Sequence, residues 1–166
     1  LVGNGELQQE MERLVAKEGL QAQVKLTGAC TPEQVRKKME KAAIFLVTSD
    51  QNEGWGAVVN ESMNSGCAVV ACRGVGAAPF LIENGKNGLL FEVGDPAELA
   101  AQTRFLLEHP RQRQQMGEEA YRTIADTWNS SCAAQRLIAL SQDLLDGKKP
   151  VLPQSGPCSP APIIDG

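Results

Sequence analysis

The 166-residue chain has one histidine, no CxxC pair and no apolar run near the roughly 18 residues of a membrane span. His109 stands before Pro110 at a predicted helix end, so neither a zinc site nor an internal Ser-His-Asp triad is expected. Positive charge is short as well. Sixteen Lys and Arg face twenty Asp and Glu, a net −4, which argues against a broad nucleic-acid footprint. No signal-peptide pattern is visible, and the first residue is not methionine. The cysteines (Cys30, Cys67, Cys72, Cys132 and Cys158) are odd in number and read as reduced thiols of a cytosolic protein. Cys67 and Cys72 are an odd number of residues apart in one predicted strand and face opposite sides of it. No internal repeat is present.

What the chain does have is 42 % hydrophobic residues, enough for the core of one ordinary domain, in helix-periodic stretches that alternate with short apolar runs. That alternation predicts an α/β fold, a Rossmann-like parallel sheet with helices on both faces. Leu1-Val2 reads as the end of a strand and Gly3-Asn4-Gly5 as the turn after it. A helix over 6–17 puts Leu7, Met11 and Leu14 on one face, and Val24 and Leu26 mark a second strand. Thr31-Pro32-Glu33-Gln34 opens a helix to about Lys41, with Val35, Met39 and Ala42 inward. Further strands are expected at 44–47, 68–71 and 89–91, with helices at 56–64 and 79–82. Asp95-Pro96-Ala97-Glu98 caps a helix to about Glu108; others run from Pro110 to about Asp126 and from Ser130 to Leu145. The tail from Gly147 holds five of the nine prolines and is expected to be extended or disordered unless it docks on a partner.

The run Ser49-Asp50-Gln51-Asn52-Glu53-Gly54-Trp55-Gly56 lies between a predicted strand and the helix that carries Glu61, before the break at Ser65-Gly66. A glycine loop at a helix start offers free N–H groups and the positive end of the helix dipole, a place for phosphate. Glu53 and Glu61, eight positions apart, add hydroxyl-binding capacity on either side. Phosphate plus polyol reads as a nucleotide sugar. Every predicted strand also ends in glycine or a polar residue, where an open α/β sheet binds its ligands. Those ends carry Gly3-Asn4-Gly5, Gly28-Ala29-Cys30, 50–56, 73–78 and 92–95. Gly74 and Gly76 shape a loop, Arg73 and Lys86 read as surface residues, and Arg36-Lys37-Lys38 reads as a solvated helix face.

In order and at these spacings, several motifs together resemble one family. They are Gly3-Asn4-Gly5, the Gly28 loop, Ser49 with Glu53-Gly54-Trp55-Gly56, Glu61 closing an E-x7-E pattern, and Gly66 with Val69-Val70. Gly76, Pro79, Asn87-Gly88-Leu89-Leu90 and Gly94-Asp95-Pro96 complete the set. Over about residues 1–128 the chain resembles the carboxyl-terminal, donor-binding domain of GT-B-fold retaining glycosyltransferases (glycosyltransferase family 4, or group 1). Gly156-Pro157-Cys158-Ser159 resembles tails of the bacterial surface-polysaccharide type. The resemblance implies a donor-binding region over 1–128, a carboxyl-terminal helix over 129–146 and a proline-rich tail over 147–166. It implies that Glu53 is the catalytic carboxylate, bound to donor-sugar hydroxyls near the anomeric centre. Gly54, Trp55, Gly56, Ala57 and Val58 would hold sugar and diphosphate, Glu61 the ribose hydroxyls, and Gly28, Ala29 and Cys30 the base edge, with Gly3 and Gly5 beside the donor.

The implied donor is a UDP-, GDP- or ADP-sugar, whose hexosyl or N-acetylhexosaminyl group moves with retention to a glycan or lipid-linked acceptor, with no metal and no other cofactor. Two residues depart from the family pattern, Ala68 where proline is common before Val-Val and Phe80 where glutamate is common; Phe80 suggests an apolar contact in place of a polar one. The family's first strand, with its Arg/Lys phosphate clamp, and the acceptor domain have no counterpart in these residues. The chain is therefore expected to be an inactive fragment of an enzyme working in the cytoplasm or at the inner face of the membrane, able to self-associate through an open sheet edge. A non-catalytic α/β module that binds a nucleotide or a protein partner stays open as the second reading; a nucleotide-sugar epimerase is disfavoured by E-x7-E in this frame.

Overall fold

The computed structural model describes residues 1–161. The part of the predicted tail beyond them, 162–166, lies outside the described residues. The chain forms two compact units, Leu1–Lys38 and Met39–Gly166.

In the first unit, α1 (Gln8–Lys17) starts two residues later than predicted, with Leu7 as its N-cap and Met11 and Leu14 on the helix, and it buries none of its residues. The two predicted strands are reduced to extended segments. The Leu1 amino group bonds Lys25 O at 2.7 Å and the Thr27 N–H bonds Leu1 O at 3.0 Å, which is one step of a parallel ladder. The next bond departs from that register, because the Gly3 N–H reaches Gly28 O, at 2.9 Å. Both glycines have positive φ there, 129° and 65°, so the segments turn apart before a strand can form. α2 (Pro32–Met39) starts in the predicted capping box: the Gln34 N–H donates to Thr31 Oγ1 at 3.3 Å, and the Thr31 N–H to Gln34 Oε1 at 2.9 Å. On its exposed face Lys37 pairs with Glu33 at 2.6 Å.

The second unit is built on a parallel sheet of β1 (Ile44–Val47), β2 (Ala68–Cys72) and β3 (Leu89–Phe91), in that order across the sheet. Ile44 pairs with Ala68, and Val70 with Leu89. Central β2 is buried at every residue, as a near-continuous apolar run in a covered parallel sheet should be. β1 lies at an edge and leaves Leu46 partly exposed. Around the sheet pack α3 (Ala57–Asn64), α5 (Pro96–Glu108) and α6 (Pro110–Arg122); short α4 (Ala78–Leu81) and α7 (Ser130–Leu145) complete the unit. Val59 and Met63 of α3, Leu106 of α5 and Ala120 of α6 are fully buried with Val69 and Val70. Each large apolar side chain buried in this way contributes about 1.5–3 kcal/mol.

Local signals set the helix ends. α3 stops in a Schellman turn, with the Gly66 N–H on Met63 O and the Cys67 N–H on Ser62 O. Asp95 Oδ1 caps α5 by accepting the Glu98 N–H at 2.9 Å. The reciprocal half of the box is displaced, for Glu98 Oε2 accepts from the Glu92 N–H, at 2.7 Å. The helix predicted to run to Asp126 remains α-helical to Arg122 and then widens into a single π-turn over Thr123–Thr127. The tail also has more order than expected, for residues 150–158 fold back along α7.

Two contacts are open to direct test. α6 crosses the Gly66 turn so closely that a Cβ on Gly117 would stand 2.3 Å from Gly66 O. Gly117→Ala should therefore lower unfolding stability by about 1–3 kcal/mol in urea titration, although alanine favours the helix. An unchanged or raised midpoint would remove this contact as the reason for glycine. Cys67 is buried, its Sγ hydrogen-bonded to Met39 O at 3.2 Å, and burial pushes its thiol pKa up. Its thiolate fraction is therefore lowered at neutral pH. Iodoacetamide on the native protein should label Cys30, Cys132 and Cys158 and spare Cys67 and buried Cys72, with all five labelled after unfolding. Peptide mass spectrometry reads this, and Cys67 labelled as fast as Cys30 would contradict it.

Candidate functional site

Parallel strands deliver the chain to the same end of the sheet, and here two loops meet there. The loop after β1 (48–56) turns on Asp50, whose Oδ1 accepts from the Asn52 N–H and from Asn52 Nδ2, each at 2.9 Å. The Glu53 N–H closes the turn on Asp50 O at 3.0 Å. The loop after β2 (73–77) runs alongside. The Gly76 N–H donates to Gly54 O at 3.2 Å, and the Ala77 N–H to Trp55 O at 2.7 Å. This approach is backbone against backbone, since a Cβ on Gly76 would fall 2.2 Å from Gly54 O. One step on, Gly56 takes φ 76° as the N-cap of α3, over the fully buried Val75; a Cβ there would meet Val75 Cγ1 at 2.4 Å.

The result is an open shelf with polar groups left free. No side chain caps α3, and its Ala57 and Val58 amides precede the first internal bond, from the Val59 N–H to Gly56 O. Such amides, with the helix dipole behind them, suit a phosphate. Glu53 at the turn and Glu61 on α3 are exposed, and neither carboxylate has a hydrogen-bond or ion-pair partner among the described residues. A carboxylate that is not already paired can accept from sugar hydroxyls. Arg73, at the end of β2, is engaged with Glu92 at 2.6 Å across the partly exposed strand ends.

Trp55 is held from two sides. Its indole Nε1–H donates to Asn60 Oδ1 on α3 at 2.8 Å, and its ring lies 5.5 Å from Phe80 of α4 and 6.2 Å from Trp128. Phe80 thus makes an apolar contact with Trp55. The three rings are tilted or edge-on to one another, as their quadrupoles favour.

Within the second unit, Glu53, Gly54, Trp55, Gly56, Ala57, Val58 and Glu61 lie on one loop and the first turns of the helix it opens. Within the first unit, the Gly3 and Gly28 turns are hydrogen-bonded to each other. Gly5 accepts the Gln8 N–H at 3.1 Å beside α1, Ala29 is exposed, and Cys30 Sγ lies 3.7 Å from Thr27 Oγ1. Sequence reasoning missed Asn60, Val75 and Trp128 as supports of the loop. It also placed Asn87 in a turn and in the Asn87-Gly88-Leu89-Leu90 motif without giving its side chain a structural part. Asn87 is buried, its Nδ2 donating to Leu81 O and to Thr123 Oγ1, both at 2.9 Å, while its Oδ1 accepts from the Glu83 N–H at 2.7 Å.

This arrangement has relatives. The family profile described as "Glycosyl transferases group 1" matches residues 1–123. An uncharacterized glycosyltransferase of Methanocaldococcus jannaschii is 33 % identical over 118 residues, 71 % of this chain and 33 % of that protein. A D-inositol 3-phosphate glycosyltransferase of Corynebacterium diphtheriae is 33 % identical over 126 residues, 75 % of this chain and 29 % of that protein. The chain thus spans about a third of the length of these curated relatives. Among solved structures, the carboxyl-terminal domain of the group 1 family protein LpcC from Francisella tularensis superposes with a TM-score of 0.67 at 25 % identity, over 73 % of this chain and 62 % of that one. HepE of Anabaena in complex with UDP superposes with a TM-score of 0.65 at 26 % identity, over 89 % of this chain and 39 % of that one. With its parallel sheet and a matching profile over most of its length, the chain belongs to the group 1 glycosyltransferases.

Proposed function

We propose that the shelf formed by 53–58 and Glu61 binds the donor of a retaining glycosyl transfer. The observation that carries this reading is the pairing of uncapped α3 amides with two unpartnered carboxylates on one loop–helix unit. The diphosphate sits on the amides of 54–58, Glu61 accepts from the ribose hydroxyls, and Glu53 accepts from sugar hydroxyls beside the anomeric carbon. The donor is a UDP-, GDP- or ADP-sugar, and the UDP-glucose complex of HepE, at 25 % identity, supports a uridine donor as the first to try. The group moved is hexosyl or N-acetylhexosaminyl, and the acceptor is a glycan or lipid-linked acceptor of the bacterial surface-polysaccharide type.

In the proposed step the acceptor oxygen attacks the anomeric carbon from the face the diphosphate leaves. The C1–O bond to phosphate breaks as the new C1–O bond forms, and the acceptor proton passes to the departing phosphate oxygen. Glu53 positions the sugar and disperses the positive charge that develops at its ring. No metal or other cofactor is assigned to this step. The activity is proposed for the whole protein, acting in the cytoplasm or at the inner face of the membrane; the present chain is assigned donor binding.

Ligand-observed NMR with UDP, GDP, ADP and their glucose and N-acetylglucosamine conjugates tests the reading. One nucleotide should bind selectively. Glu61→Ala should weaken it by about 1.5–3 kcal/mol, roughly tenfold or more, for a lost charge-assisted hydrogen bond. Equal binding by both proteins, or silence across the panel from a folded sample, would contradict the assignment.

A further inference from the structure

The tail and the Glu53 loop are far apart in sequence but joined by an unbroken series of contacts. Arg136 of α7 donates from one guanidinium nitrogen, Nη1, to Ser155 O at 2.6 Å and to Pro157 O at 3.1 Å. Gly156, between those carbonyls, is buried at φ 89°; a Cβ there would stand 2.5 Å from Thr127 Cγ2 and 2.6 Å from Arg136 Nη1. Cys158 follows at φ 64°, unusual for a residue with a side chain, so the surrounding contacts hold this turn in place. A groove of about 260 Å³ lies between α7 and this segment, lined by Arg136, Leu140 and Asp143 on one side and by Pro150, Leu152 and Cys158 on the other.

Thr127 ends the π-turn, and the next residue is Trp128. That corner is fixed on its other sides as well. Asn129 Nδ2 donates to Ala125 O at 2.8 Å, and its Oδ1 caps α7 by accepting the Cys132 N–H at 2.9 Å. Asn87 ties Thr123 to the end of α4, which carries Phe80. Trp128 meets Phe80 at 6.4 Å and Trp55 at 6.2 Å, and Trp55 is the residue between Gly54 and Gly56.

We propose that residues 150–158 form a strap that fixes the π-turn corner and, through Trp128, positions Trp55 and the Glu53 loop. Arg136 and Trp128 are then positioning residues for the donor shelf, and this role rests on the donor reading of that loop. Release of the strap loosens the loop without touching the sheet.

The test uses the fact that Trp55 and Trp128 are the only two tryptophans in the chain. Indoles this close couple their transitions and give a circular-dichroism couplet, read as the difference from Trp128→Phe. Arg136→Gln and Gly156→Val should each lose most of the couplet while Arg136→Lys keeps it, with unfolding cooperative in all three. Hydrogen exchange at the Gly76 and Ala77 amides, which bond Gly54 O and Trp55 O, should quicken about tenfold in the first two variants. A couplet and exchange rates unchanged in both would overturn the proposal, and so would a lost couplet with unchanged exchange, since the strap would then hold a tryptophan but not the loop. UDP-glucose titration separates this from the donor reading. If the unsubstituted chain binds none, the donor reading fails while the couplet and exchange still judge the strap.

Discussion

The candidate site depends on one close approach, the backbone of Gly76 against the backbone of Gly54. Two loops at the end of a parallel sheet would ordinarily be kept apart by their side chains. With no Cβ on Gly76, the Gly76 and Ala77 amides bond the carbonyls of Gly54 and Trp55, and the loop after β1 is clamped onto the loop after β2. The clamp fixes where α3 begins. Gly56 then takes the left-handed conformation that starts α3 over Val75, and the first helix amides are left uncapped. Without the clamp, the Glu53 loop would be held only through Trp55, by Asn60 and the neighbouring rings, and Glu53 would lose its register with Glu61.

The rest of the second unit supports that clamp from behind. β2 anchors the second loop because every one of its residues is buried, and α6 approaches the Gly66 turn to backbone contact at Gly117. A single buried amide, Asn87, joins the end of α4 to the π-turn with its polar atoms satisfied. Leaving such groups unpaired costs about 1–3 kcal/mol each, so the π-turn and α4 are held together by more than apolar packing. The aromatic trio of Trp55, Phe80 and Trp128 sits on top of that joint. The functional shelf is thus exposed, while the elements that shape it are among the most buried in the chain.

Much of this was legible in the residues. The strands at 44–47 and 89–91 and the capped starts at Thr31 and Asp95 come directly from apolar runs and local cap chemistry. The Glu53 loop was legible because glycine, carboxylate and helix start fall together. What the residues did not reveal depends on distant partners. Leu1-Val2 and the 24–26 segment have strand-like composition, yet their pairing stops after one step where Gly3 and Gly28 turn away. Leu7, Met11 and Leu14 have helix spacing, but spacing does not say whether a face is covered, and α1 buries none of its residues. The bond from Asn87 to Thr123 joins residues with no shared motif. The tail's proline content suggested an extended chain, and it is Arg136, whose guanidinium bonds two tail carbonyls, that folds it back.

Gly76→Ala, titrated with UDP-glucose by calorimetry beside the unsubstituted chain, tests the central claim most directly. The added methyl collides with a backbone carbonyl that cannot rotate away, so the clamp must open while the sheet behind it stays folded. The account predicts unchanged helical circular dichroism and binding weakened roughly tenfold or more, matching about 1–3 kcal/mol of forced separation. A folded Gly76→Ala protein that binds UDP-glucose as well as the parent would contradict it.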